Sequence, residues 1–174
     1  TPADQLPAIR LYPPDVDPNT EDAWFIEFLT VPQNSKSTGK EWTRLTLPQG
    51  DFGLPTFRFL SLTAYDPLPS ADLGIRYARP ELMSLANMLA HPVIGPETMS
   101  APIAGQSIKR ANKDLGRVLA ITILADLDDY RPWAQTWEAA LKSAFPDDWQ
   151  IHALNAGSGI RELLISSSDL KEAL

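Results

Sequence analysis

Apolar residues change their rhythm about halfway along the chain. In the first half they come as short runs and alternations. Ala8–Tyr12 is a short β-like run that Pro13-Pro14 ends. Ala23–Thr30 gathers Trp24, Phe25, Ile26, Phe28 and Leu29, a run suited to a strand covered on both faces. Trp42–Leu47 alternates as a half-buried strand does, and Phe57–Leu62 and Leu73–Ala78 are further strand candidates, separated by Gly50, Gly53, Pro67 and Pro69. The stretch from Asn34 to Lys40 reads as a flexible hairpin loop.

From Pro80 onward the spacing becomes helical. Pro80 suits a first helical turn, where its missing N–H costs nothing, and Leu82, Leu85, Ala86 and Leu89 fall on one face before His91-Pro92 stops the helix. Residues 92–104 read as a loop. A long helix is expected from Gln106 to Asp126, with Ile108, Leu115, Val118, Leu119, Thr122 and Ala125 as its apolar stripe. The next helix is expected from Arg131, capped by Asp129, with Trp133, Trp137, Ala140, Leu141 and Ala144 buried and Phe145-Pro146 as its end. Asp147–Leu154, Ile160–Ile165 and Asp169–Leu174 are read as short helical pieces, with Gly157-Ser158-Gly159 as a hinge between the first two. Strands first and helices second make the class α+β: a mixed sheet in residues 1–78 and a helical portion in 79–174.

Composition narrows the functional classes. No run of about eighteen apolar residues occurs, so no membrane span and a cytoplasmic location are expected. The absence of cysteine removes disulfides, thiolate nucleophiles and cysteine-ligated zinc. A formal net charge of −7 argues against a broad nucleic-acid surface, while leaving room for a local basic patch. The chain opens on Thr1-Pro2, which suggests a trimmed or partial protein.

The helix at 106–126 carries such a patch. Arg110, Lys113, Asp114 and Arg117 stand three or four residues apart, beside the apolar stripe. They form either a phosphate-facing edge, with Lys113 and Arg117 as donors oriented by Asp114, or a solvated face with an internal ion pair. Arg76 and Arg79 would extend the patch. Glu27 sits within an apolar strand, where a carboxylate needs a metal, a cation or water; it is a candidate metal ligand, or else a partner for Arg44. His91 and His152 lack ligand spacing, the Gly157-Ser158-Gly159 segment is neither a nucleophile elbow nor a phosphate loop, and Trp133 and Trp137 read as core.

Several segments together resemble bacterial nucleotidyltransferase-like proteins of the polymerase-β type. They are Gly53-Leu54-Pro55 with Phe57-Arg58-Phe59-Leu60, the stretch Leu73–Leu82, the cluster Lys109-Arg110-Ala111-Asn112-Lys113-Asp114-Leu115, and the helix around Trp137. The likeness covers residues 53–145. It implies transfer of a nucleoside monophosphate with Mg2+, Glu27 serving as the third metal carboxylate and Lys113-Asp114 matching a Lys-Asp pair. The chain departs from the pattern in having no Gly-Ser loop and Asp pair before Glu27, and Asn87 where a helical lysine is usual. The expectation is therefore a C-terminal part or degenerate member that recognises a nucleotide or phosphate through Arg110, Lys113, Asp114 and Arg117 and is itself inactive. The alternative is a protein-interaction module, such as a toxin–antitoxin-like component.

Overall fold

In the computed structural model the alternation of Glu41–Leu47 becomes β3, paired antiparallel with β4, Gly50–Thr56, in a hairpin with Leu47 opposite Gly50. Two residues connect them, and Gly50 takes φ +136°, a backbone conformation that favours glycine. The structure describes residues 1–20, 23–32, 41–70, 72, 74, 76–91 and 110–165. It divides into two units, Thr1–Leu60 and Ser61–Leu174. The fold is α+β, with strands in the N-terminal half and helices in the C-terminal half. Among the described residues no helix is long and apolar enough to cross a membrane.

The first unit is held by ladders. A short ladder pairs β1, Arg10–Leu11, with β2, Ile26–Glu27, and one parallel bridge joins Thr30 to Thr56 beside the β3–β4 hairpin. A 3₁₀ turn at Ala3–Gln5 lies against the hairpin. The Gly53 amide donates to the Pro7 carbonyl at 3.0 Å, and a Cβ at Gly53 would collide with the Ala3 carbonyl oxygen. Glycine is needed there because the backbone of the N-terminal segment passes directly over the strand.

Helix α1, Pro80–Leu89, is the centre of the second unit and packs against α2 (Arg110–Leu124), α3 (Trp133–Ala144) and α4 (Trp149–Ile165). Its expected face is buried: Leu82, Leu85, Ala86 and Leu89 point inward. They meet an interior formed by Leu115 and Val118 of α2, Ala140 and Leu141 of α3, and Ala156 and Leu163 of α4. The Trp137 indole N–H donates to the Glu81 carbonyl at 2.8 Å, tying α3 to the first turn of α1. A third ladder pairs β5, Leu68–Pro69, with β6, Arg76–Tyr77.

Several local expectations are corrected. Phe57–Leu62 is not a strand: Arg58–Ala64 forms a 3₁₀ turn, and Phe59 and Leu62, three apart, are both buried, which fits three residues per turn. Gly50 and Gly53, expected to separate strands, lie in β4. The Ala23–Thr30 run is not covered on both faces: its regular ladder is confined to Ile26–Glu27, and Trp24 and Ile26 are exposed. Asp129 does not cap α3; it lies in a 3₁₀ turn, Leu127–Tyr130, and its carboxylate accepts from the Asp126 amide at 3.0 Å. Gly157-Ser158-Gly159 is no hinge but the middle of α4. Gly159 is buried and Gly157 exposed, and each costs the helix roughly 1 kcal/mol relative to alanine. The expected elements at 34–40, 92–104 and 169–174 lie outside the described residues.

Candidate functional site

The basic residues singled out in the sequence occupy two places in the second unit. Three sit on α2. There Arg117 donates to Asp114 at 2.6 Å, a pair one turn apart, with the carboxylate mostly buried and the guanidinium half exposed. Lys113, one residue before Asp114, is exposed. Arg110 stands on the described part of the same helix, and its side chain lies outside the described residues. Asp114 and Arg117 therefore form an ion pair within the helix.

Arg76 and Arg79 flank the entry to α1, and both grip the turn before β5. Arg76 donates from two nitrogens to the Pro67 carbonyl at 3.3 and 3.1 Å. Arg79 donates to the Asp66 carbonyl at 2.8 Å and to its carboxylate at 2.5 Å, and lies 3.5 Å from the Glu81 carboxylate. These partners shift the Arg79 guanidinium further above its ordinary range: the hydrogen bond to Asp66 is the largest cause, and it outweighs the opposing effect of burial. Asp66 itself holds φ at 40°, a left-handed conformation uncommon for a non-glycine residue. Arg76 and Arg79 are therefore bound into the turn they cross.

Glu27 belongs to the first unit. It sits opposite Arg10 in the β1–β2 ladder, and the two side chains pair at 3.1 Å. Arg44, offered as an alternative partner, instead pairs with Asp51 at 3.1 Å. Among the described residues no group of three His, Asp or Glu side chains could hold a metal ion.

Two features escaped the sequence reading. The first is a buried polar pair: His91, at the end of α1, and Asn112, on the inner face of α2, are each 1% exposed, with the imidazole Nε2 and the amide Oδ1 3.3 Å apart. Their separation along the chain hides the pairing, but Asn112 stands three residues before Leu115 in the stripe, and that spacing was available as a signal.

The second is an apolar face on the first unit. Leu11 and Ile26 are directly opposite in the ladder, which places them on the same side. With the flanking Trp24 and Phe28 they are 52%, 57%, 60% and 44% exposed. The neighbouring positions carry a different chemistry: the Arg10 guanidinium stacks over Phe25 at 4.5 Å while bonding Glu27, and Tyr12 contacts the Phe25 ring at 5.4 Å between centroids. Those contacts hold the strands in register and leave the apolar side chains facing water.

No family model matches the sequence, and no curated protein or solved structure matches it.

Proposed function

We propose that the chain is a protein-interaction module, one component of a pair or assembly, which binds its partner through the first unit. The observation carrying this reading is the exposed group Leu11, Trp24, Ile26 and Phe28. Large contiguous apolar side chains facing water favour association, and tryptophan and phenylalanine are typical anchors of such contacts. The occupant is a second protein with an apolar surface and a basic rim, since the chain's net charge of −7 steers positive surfaces toward it.

The test is retention of partners from cells that make the protein, comparing the wild-type chain with Ile26→Asp and Trp24→Ala. The captured protein is then purified and its binding measured directly. Binding that survives high salt and falls at least tenfold in both variants supports the reading. Equal binding by all three chains overturns it.

Nucleotide recognition is the second reading, favoured by the exposed Lys113 beside the Asp114–Arg117 pair. It would draw on Arg110, Lys113, Asp114 and Arg117, while Arg76 and Arg79 donate to Pro67 and Asp66. Titration with ATP, GTP, CTP and UTP in Mg2+, with Lys113→Ala as control, tests it. Saturable binding lost in the variant sustains this reading, and equal heats for both chains remove it.

A further inference from the structure

Proline follows aspartate twice in the chain, at Asp17-Pro18 and Asp66-Pro67. Such a bond carries its own nucleophile and a good leaving group. The side-chain carboxylate can close on its own carbonyl carbon as a cyclic anhydride, and the tertiary amide nitrogen of proline is easier to protonate and expel than a secondary one.

The fold treats the two bonds differently. Among the described residues Asp66 is the one non-glycine residue in the left-handed region, with φ at 40°. A following proline restricts it further toward extended backbone, so the conformation is strained on two counts. Strain of this kind persists where neighbours impose it. Here one guanidinium does so. Arg79 Nε donates to the Asp66 carbonyl oxygen at 2.8 Å, and Nη2 donates to the Asp66 carboxylate at 2.5 Å. The fixed fork of donors thus holds the carbonyl that would be attacked beside the carboxylate that would attack it. The mostly buried Glu81 lies 3.5 Å from Nη1 and steadies the arginine. Arg76 holds the Pro67 carbonyl on the other side of the bond. The Asp66 side chain is 61% exposed, so water reaches it.

Asp17 has neutral partners and no left-handed φ. Its carbonyl accepts from the Thr20 amide and hydroxyl at 3.2 and 2.9 Å, and its carboxylate from the backbone and side-chain amides of Asn19 at 2.9 and 3.0 Å. The chain therefore contains its own reference bond.

We propose that the chain cleaves itself between Asp66 and Pro67. The Asp66 carboxylate attacks its own carbonyl carbon, and the negative charge that develops on the carbonyl oxygen is stabilised by Arg79. The C–N bond to Pro67 breaks, and the nitrogen takes a proton from water and leaves as a secondary amine. The hydroxide left behind opens the cyclic anhydride, which restores the Asp66 side chain and creates a new terminal carboxylate. One water is consumed, with no oxidant or reductant. The bond lies just past the boundary at Ser61, so scission severs the polypeptide of the first unit from the segment carrying α1 to α4. Cleavage and partner binding are tested separately, and neither outcome decides the other.

The purified full chain is incubated at neutral pH and physiological temperature and followed by intact mass under denaturing conditions. Fragments 1–66 and 67–174 are expected, together one water heavier than the parent, with a much slower cut after Asp17. The rate should be independent of protein concentration, as an intramolecular step requires. Asp66→Asn should abolish the cut. Arg79→Gln, with its helical circular dichroism retained, should slow it about a hundredfold, the usual effect of removing one oxyanion donor. Urea supplies a control that needs no variant: once the chain is unfolded Arg79 no longer holds Asp66, and the two Asp-Pro bonds should be cut at equal rates. An intact chain, equal cutting at both bonds in the folded protein, or a preference for Asp66 that persists in urea overturns the proposal. So does a rate that rises with protein concentration or is untouched by Arg79→Gln.

Discussion

In the second unit Leu62, Leu82, Leu85, Leu89 and Leu141 are no more than 2% exposed, whereas in the first Leu11, Trp24, Ile26 and Phe28 remain 44% to 60% exposed. The same kind of side chain is used in opposite ways. In the second unit the helical spacing turns Leu82, Leu85, Leu89 and Leu141 toward one interior, while Leu124, Leu154 and Leu164 stay exposed. In the first, short ladders, a glycine contact and stacked arginines fix the backbone, and Leu11, Trp24, Ile26 and Phe28 stay in water. The difference teaches that hydrophobic content alone does not locate a core. It also separates residues that hold the fold from those available for binding.

Leu85 and Ile26 give the sharpest contrast. Leu85→Ala should cost about 2–5 kcal/mol in urea unfolding followed on the helical signal, the range for emptying a buried leucine site. Ile26→Ala should stay within about 0.5 kcal/mol, as exposed substitutions do. Equal losses would mean that the first unit has a core of its own and would remove the contrast.

A smaller effect is expected where the second unit buries polarity. Asn112→Ala removes the 3.3 Å contact between two buried polar side chains and should cost about 1–3 kcal/mol, with hydrogen exchange accelerated at the end of α1 and along α2. Unchanged protection there would show that the pair does not couple the two helices.

The smallest effect concerns the turn gripped by Arg79. Asp66→Gly loses an ion pair and gains the freedom to adopt φ 40°, while Asp66→Ala loses the pair and keeps the strain. The alanine variant should be less stable than the glycine variant by about 1 kcal/mol in thermal unfolding. Identical stabilities would show that the turn relaxes without cost.

The helical core was legible because its signal is local and periodic. Leu82, Leu85, Ala86 and Leu89 declare one face within ten residues; on α3 only Ala140 and Leu141 of the expected face are buried, and Trp133, Trp137 and Ala144 are half-buried. β4 was not legible because its glycine and proline acquire meaning only from distant partners: Gly53 from Pro7, and Pro55 from the Thr30 amide that donates to its carbonyl at 3.2 Å. α4 was broken at Gly157-Ser158-Gly159 because glycine lowers helix propensity, whereas tertiary packing carries this helix through. The charged residues followed the same division. Asp114 and Arg117 are one turn apart, so their pairing could be read directly. The Arg10–Glu27 pair spans 17 residues, and the acceptors for Arg76 and Arg79 are carbonyls in a turn whose shape no side-chain pattern specifies.

The placement of the tryptophans has a consequence for light emission. Trp24 is mostly in water, and Trp137 holds its indole N–H on a carbonyl inside the helical unit. An indole in water emits at longer wavelength than one enclosed by protein, so the two report on different events. Covering the ladder face shifts the Trp24 emission to the blue, and loosening α1 shifts that of Trp137 to the red. Replacing the other tryptophans with phenylalanine would leave one native chromophore on each unit, so that binding and unfolding could be read in opposite spectral directions from a single unlabelled sample.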